Sequence, residues 1–234
     1  MIRRRKMDRF SQIFQDTFRY FSGIQQQPKL KQQNFDYFLI LDFEATCDKP
    51  QLKPMEIIEF PVLKFDCRTN EIVDTFHRYV RPTVNPILTP FCIELTGIIQ
   101  SMVDESDKFT KIFIDFQNWL LETRLINSNA APISRFTFIT CGDWDLKRIL
   151  PVQCKICNLE IPSYMKSWIN VKKSFVEHTN EWPRSQSSML NHLGLQPIGR
   201  QHSGIDDCYN LAQIVKYLIN DGYIFHNNSR LNSD

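Results

Sequence analysis

An unbroken apolar run, Tyr37 to Leu41, ends abruptly in the acid pair Asp42 and Glu44. A run of that length without alternation suits a central strand covered on both faces, so the chain needs layers above and below a sheet. Successive strand side chains alternate faces, which sends Asp42 and Glu44 to one side and Phe43 to the other. Leaving two carboxylates ionised beside apolar surface is costly, and this pair therefore calls for cations or hydrogen-bond donors.

The pattern downstream supplies those layers. Strand-like runs at 57–65 and 72–80, joined by the turn-forming stretch 66–70, predict a hairpin. Thr89 followed by Pro90 reads as an N-cap and first helical residue, with Gly97 as the stop of a short helix. Phe109, Ile112, Phe113, Phe116, Trp119 and Leu120 recur at helical spacing and predict a core-facing helix over 108–125. A strand at 135–141 turns at Gly142 and Asp143 into a helix starting near Asp145. Gly194 closes a helix from about Ser187. A last helix begins near Asp206, carries Leu211, Ile214, Val215 and Leu218 on one stripe, and stops at Gly222. Strands followed by helices throughout indicate a single α/β layered domain.

Charge is unevenly distributed. Residues 1–34 hold eight basic residues against Asp8 and Asp16, whereas the remainder is formally acidic. The division read from this is a basic, flexible arm at 1–34, a body at 35–225 and a tail at 226–234. An arm of that kind attracts phosphates, while an acidic body concentrates carboxylates. No apolar run approaches the roughly 20 residues a membrane helix requires, so no membrane partner is expected. The seven cysteines are odd in number, and no secretory pattern precedes them. Free thiols and an intracellular setting, cytoplasm or nucleus, follow as the expectation. Cys154 and Cys157 lack the second ligand pair of a zinc cage and read as small core residues.

The chemistry lies in acids placed at three separate junctions. Asp42 and Glu44 end a strand, Asp145 sits at a strand-to-helix turn, and Asp207 lies in the first turn of the last helix, four residues before core-facing Leu211. Each alone is compatible with plain capping at a helix N-terminus. His202, five residues before Asp207 in a glycine-bearing loop, is a candidate general base. Four carboxylates and a histidine suit phosphodiester hydrolysis assisted by two Mg²⁺ or Mn²⁺ ions.

Three strings, LDFEATC (41–47), TCGDWDL (140–146) and HSGIDD (202–207), resemble the exonuclease motifs of the DEDDh superfamily. With FCIELTGI (91–98) and WINVKKS (168–174), they resemble its enhancer-of-RNA-interference branch, which includes the histone-mRNA 3′-exonuclease and Snipper. The likeness runs over about residues 35 to 225.

That resemblance implies a ribonuclease-H-like mixed sheet flanked by helices and 3′-to-5′ exonuclease activity that releases nucleoside 5′-monophosphates from RNA or structured nucleic acid ends. DNA is left open as a substrate, and a monomer is expected. It further implies that Asp42, Glu44 and Asp207 hold metal directly, that Asp145 does so through water, and that His202 deprotonates the attacking water. Phe91 matches an aromatic that stacks on the terminal base, and Phe43, Leu95, Thr96 and Leu146 fall where the family forms its nucleotide pocket. Lys172, Lys173, Arg184 and Arg200 are candidate phosphate contacts. Two alternatives stand beside this reading: a catalytically silent RNA-binding module of the same fold, and a DNA-directed proofreading exonuclease. No G-x-x-x-x-G-K-[ST] phosphate cradle occurs, which disfavours an NTPase.

Overall fold

Strand β1 (Tyr37–Leu41) lies inside an open, mixed seven-stranded sheet in the computed structural model, which describes residues 30–231. The basic stretch at 1–29 lies outside the described residues. Strand β3 (Ile57–Asp66) runs antiparallel to β1, and β4 (Glu71–Tyr79) completes the expected hairpin on its other edge. Strands β5 (Phe136–Thr140) and β6 (Ser167–Asn170) follow on the far side of β1, both in parallel pairings. A two-residue strand, β7 (Ser229–Arg230), pairs antiparallel with β6 and ends the sheet.

Leu41 pairs with Val62, and Glu44, in the two-residue strand β2 (Glu44–Ala45), pairs with Glu59 on the same register. Asp42 and Phe43 thus interrupt one continuous extended path without changing its facing. Odd-numbered Leu39, Leu41 and Phe43 join a core with Phe60, Phe76 and the aromatic stripe of α3 (Phe109–Glu122). Even-numbered positions face the other layer, where the long helix α7 (Gly204–Asn220) packs over β3 and β1. Alternation along this one path therefore aims Asp42 and Glu44 at α7.

The shorter helices follow their local signals. Helix α1 (Pro90–Thr96) is capped by the Thr89 side chain, which accepts from the Cys92 N–H, and ends at Gly97 with φ 77°. Helix α2 (Gln100–Asp104) follows it, and α4 (Leu150–Cys157) holds Cys154 buried and Cys157 half-buried, both as free thiols. Helix α5 (Val171–Thr179) follows β6 directly, with the Asn170 side chain capping the Lys172 N–H. Helix α6 (Gln186–His192) begins with a capping box between Ser185 and Ser188. Among the described residues no helix is long and apolar enough to cross a membrane.

Three boundaries differ from the sequence reading. Helix α7 starts at Gly204, two residues early, because a buried carboxylate receives its first amides. Residues 33 and 34 belong to the body and not to an arm, since Gln33 is buried and bonds the Tyr223 carbonyl and Phe225 N–H, and Asn34 bonds the Phe225 carbonyl. Within the expected tail, Asn228 and Ser229 are bonded into the sheet edge.

Candidate active site

The four acids singled out in the sequence meet at the end of β1. Asp42, Glu44 and Asp207 line a cleft of about 400 Å³, together with His202, Leu95, Cys141, Trp144, Lys172, Arg184 and Gln186. Asp145, only 2% exposed, stands behind them at the start of a π-helical turn, Asp145–Ile149, and its Oδ1 accepts from the Phe43 N–H at 2.9 Å. That bond joins the first acidic motif to the second.

Helix α7 brings the third. Asp207 is buried in its first turn, and its Oδ2 accepts from the His202 backbone N–H at 2.8 Å. His202 takes a left-handed backbone, φ 61°, unusual for a residue with a side chain. Its exposed ring reaches the acids: one ligand atom from each of Glu44, His202 and Asp207 lies within 4.8 Å of the others. Asp42 and Asp145 are not part of that tight trio.

Gly204 sets how closely helix and strand approach. A Cβ there would sit 2.6 Å from the Asp42 carbonyl oxygen and 3.0 Å from Glu59 Oε2, so only glycine fits. Glu59 was not anticipated. It is 1% exposed and stands directly across from Glu44, an arrangement of like charges that costs stability unless one is satisfied. It is satisfied: the Gly204 and Ile205 N–H groups donate to it at 2.9 and 3.1 Å, and His77 Nε2 lies 2.8 Å away. A lone acid inside the apolar run 57–65 was the signal that could have revealed it.

Among the described residues the cleft acids are served less well: Asp145 accepts from the Phe43 N–H and Asp207 from the His202 N–H, while no side-chain hydrogen bond reaches Asp42 or Glu44. Among the described residues no lysine or arginine forms an ion pair with Asp42, Glu44, Asp145 or Asp207. Burial pushes Asp42 well above the usual carboxylate range, and the charges of Asp145, Glu44, Asp207 and Glu59 push it further. Burial and then Glu59, Asp207 and Asp145 raise Glu44 to about 9. Burial raises Asp145 to about 7 against the opposing Phe43 N–H, and Asp207 to about 6 against the His202 N–H. Crowded, hard oxygen donors lacking positive partners are the environment in which Mg²⁺ or Mn²⁺ is favoured, so the residues present fit a divalent ion.

A second cluster fixes the turn that carries Asp145. Asp143 Oδ1 accepts from Trp168 Nε1 at 3.2 Å, Asn170 Nδ2 at 3.0 Å and Ser229 Oγ at 2.6 Å, and Lys173 Nζ lies 3.4 Å from Oδ2. This explains the string at 168–174 as a clamp on the acidic turn. It also removes Lys173 from the candidate phosphate contacts, since its ammonium further bonds the Asn228 carbonyl and Ser229 hydroxyl. Arg200 is likewise engaged, donating to the Glu94 and Leu95 carbonyls. Lys172 and Arg184 remain at the cleft.

The expected nucleotide pocket is only partly assembled from the residues named for it. Leu95 and Phe43 line the cleft, though the Phe43 ring packs on Phe60 at 4.8 Å. Phe91 is half-buried on α1 with Lys49 Nζ 4.8 Å above its ring. Thr96 and Leu146 do not line the cleft. The Thr96 hydroxyl donates to the Cys92 carbonyl and accepts from the Ile98 N–H, and Leu146 is fully buried in the core. Helical spacing places Leu146 one step past Asp145, on the face that points inward. Trp144, 39% exposed at the cleft, was overlooked because a tryptophan between two acids carries no periodic signal.

Known proteins resemble this chain in sequence and in fold. The sequence pattern of the family described as Exonuclease matches residues 39–215. The chain is 51% identical over 199 residues to ERI1 exoribonuclease 3 of Homo sapiens, covering 85% of this chain and 58% of that protein. Among solved structures, the nuclease domain of 3′hExo, a DEDDh family member bound to rAMP, superposes with a TM-score of 0.79 at 37% identity, covering 85% of this chain and 98% of that one. A structure of 3′-end specific recognition of a histone mRNA stem-loop by a 3′-exonuclease gives 0.81 at 32% identity, covering 97% and 78%. The chain spans little more than half the length of the exoribonuclease it matches.

Proposed function

This chain belongs to the RNase T exonuclease family, whose DEDDh members are its structural neighbours, and from that premise we propose that it is a metal-dependent 3′-to-5′ exonuclease acting on RNA 3′ ends and releasing nucleoside 5′-monophosphates. The observation that carries this is the cleft itself: half-buried Asp42 and Glu44 beside buried Asp145 and Asp207, without cationic partners among the described residues, and a histidine at their open edge.

In this reading Asp42, Glu44 and Asp207 would hold two Mg²⁺ or Mn²⁺ ions, with Asp145 contributing through water. Bound divalent ions supply Lewis acidity for the attacking water and for the departing 3′-oxygen. The neutral ring of His202 takes the proton as water oxygen bonds to phosphorus, and the bond from phosphorus to the 3′-oxygen breaks. That oxygen leaves on the shortened strand and takes a proton from solvent, and His202 returns its own to solvent. Asp207, by accepting the His202 backbone N–H, holds the imidazole over the cleft in an otherwise unfavoured backbone conformation. Leu95 and Phe91 offer apolar surface for the terminal base, Phe91 beneath Lys49, and Lys172 offers charge to a phosphate.

The test is digestion of end-labelled single strands, blunt duplexes and duplexes with 3′ overhangs, in RNA and DNA, with and without chelator. Stepwise shortening from the 3′ end that stops in chelator is expected, with RNA preferred. Intact RNA in the presence of Mg²⁺ and Mn²⁺, alongside retained binding, would replace this reading with the silent binding module. The basic stretch at 1–34 is assigned a supporting role, drawing in phosphates. Deleting residues 1–29 should flatten the log–log salt dependence of binding by roughly 2.7 if about three of its cations meet phosphates, as fluorescence anisotropy would register.

A further inference from the structure

The loop between α5 and α6 carries a feature that the cleft chemistry does not use. Trp182 is 66% exposed, a large indole left in water beside Pro183 and Arg184. Arg184 is exposed, makes no ion pair among the described residues and lines the cleft. Lys172, also at the cleft, donates from Nζ to the Arg184 carbonyl at 3.3 Å. The neighbouring acid Glu181 forms no ion pair with Arg184 among the described residues, its Oε2 lying 3.0 Å from His192 Nδ1. Two residues after Arg184, Gln186 donates to the Asp207 carbonyl, so the same short segment runs from the exposed indole to the acid cluster.

We infer that Trp182 and Arg184 form a stacking and phosphate-binding platform for the single-stranded nucleotides upstream of the 3′-terminal one. The inference rests on the exonuclease reading and deepens it. Two residues of extended chain span at most about 7 Å. Stacked bases lie about 3.4 Å apart along a strand, so the indole stands within about two base steps of the cleft wall. An aromatic face combined with an unpaired guanidinium is the combination that holds single strands without reading their sequence. The platform therefore takes RNA of any base composition, provided that its 3′ end is unpaired over a few nucleotides.

Equilibrium binding of a fluorescent single-stranded RNA pentamer and of adenosine monophosphate, measured in the full chain carrying Asp42→Asn, tests this. Trp182→Ala should weaken pentamer binding by about 5- to 150-fold, the range expected for a lost base stack. Trp182→Phe should restore most of that loss. The mononucleotide should be affected far less than the pentamer. Equal pentamer affinity in wild type and Trp182→Ala overturns the platform, and so does a matching loss for the mononucleotide, which would mean that the substitution disturbs the cleft. Failure of the exonuclease reading is separately visible, as no shortening of RNA by the chain with Asp42 intact.

Discussion

Asp143 and Asp145 stand two residues apart in one turn, yet their surroundings are opposite. Asp143 is met by an indole N–H, an amide, a hydroxyl and an ammonium. Burial alone would push it up, but the bonds from Ser229 and Asn170 and the Lys173 charge outweigh that and hold it below the ordinary carboxylate range. Asp145 has chiefly the Phe43 N–H, and burial raises it to about 7. The same contrast divides Glu59, which receives two helix amides and His77, from Glu44 directly across the strand pair. A buried acid supplied with several donors is satisfied within the fold, whereas crowded acids with few or none form the kind of oxygen-rich cluster in which a divalent cation is favoured.

If that division is right, neutralising one member of each class has opposite consequences. Asp42→Asn should remove essentially all hydrolysis while leaving the fold intact, and should raise the melting temperature measured in chelator, because one crowded charge is gone. Near wild-type turnover in that variant would dissolve the distinction at its strongest point. His202→Ala should cost roughly 10²–10⁴ in rate and flatten the rise of log rate with pH, since the neutral ring is the species that accepts the proton. An unchanged pH profile would move the base elsewhere.

Asp143→Ala belongs to the other class and should lower stability by roughly 1–3 kcal/mol, leaving buried donors without an acceptor. Its activity should fall only through a displaced Asp145, on the order of 10–100-fold, the range seen when a residue supporting a metal ligand is removed. A stable Asp143→Ala variant in denaturant melts would show that the clamp is dispensable.

The smallest effect is a pH dependence of opposite sign in the two regions. The cleft acids keep their protons to higher pH when folded than the roughly 4 of unfolded carboxyls. Between there and about 9, to which Glu44 is raised, the folded chain binds more protons, and stability without metal falls as pH rises. Asp143, held low, contributes stability at neutral pH that is lost on acidification. Added Mg²⁺ should cancel the alkaline loss and stabilise by about 2.7 kcal/mol at a hundred times its Kd. Melting curves from about pH 2 to 9, with and without metal, test both signs, and a chelator curve that stays flat on its alkaline side would count against charge crowding.

Local signals were enough for much of this. The apolar run at Tyr37–Leu41, the Thr89 and Pro90 cap, the aromatic stripe at 109–120 and the acids at 42, 44, 145 and 207 each announce themselves within a few neighbours. What escaped depends on contacts distant in sequence. Glu59 matters because α7 arrives over it from 145 residues away. The Asp143 clamp needs Ser229, 86 residues on. Leu146 and Thr96 carried a family expectation that packing overrides, one facing the core and the other engaged by its own helix.

The pairing of Ser229 and Arg230 with β6 also occupies backbone groups along which another chain could otherwise extend the sheet. Strand β6 is buried along most of its length, and without β7 its backbone N–H and C=O groups would face outward as a template for another chain. Two polar residues suffice as a guard because a short, charged edge offers a visiting strand little to extend along. Shortening the chain before Ser229 should therefore first betray itself as concentration-dependent light scattering, at temperatures where the central strands are still intact.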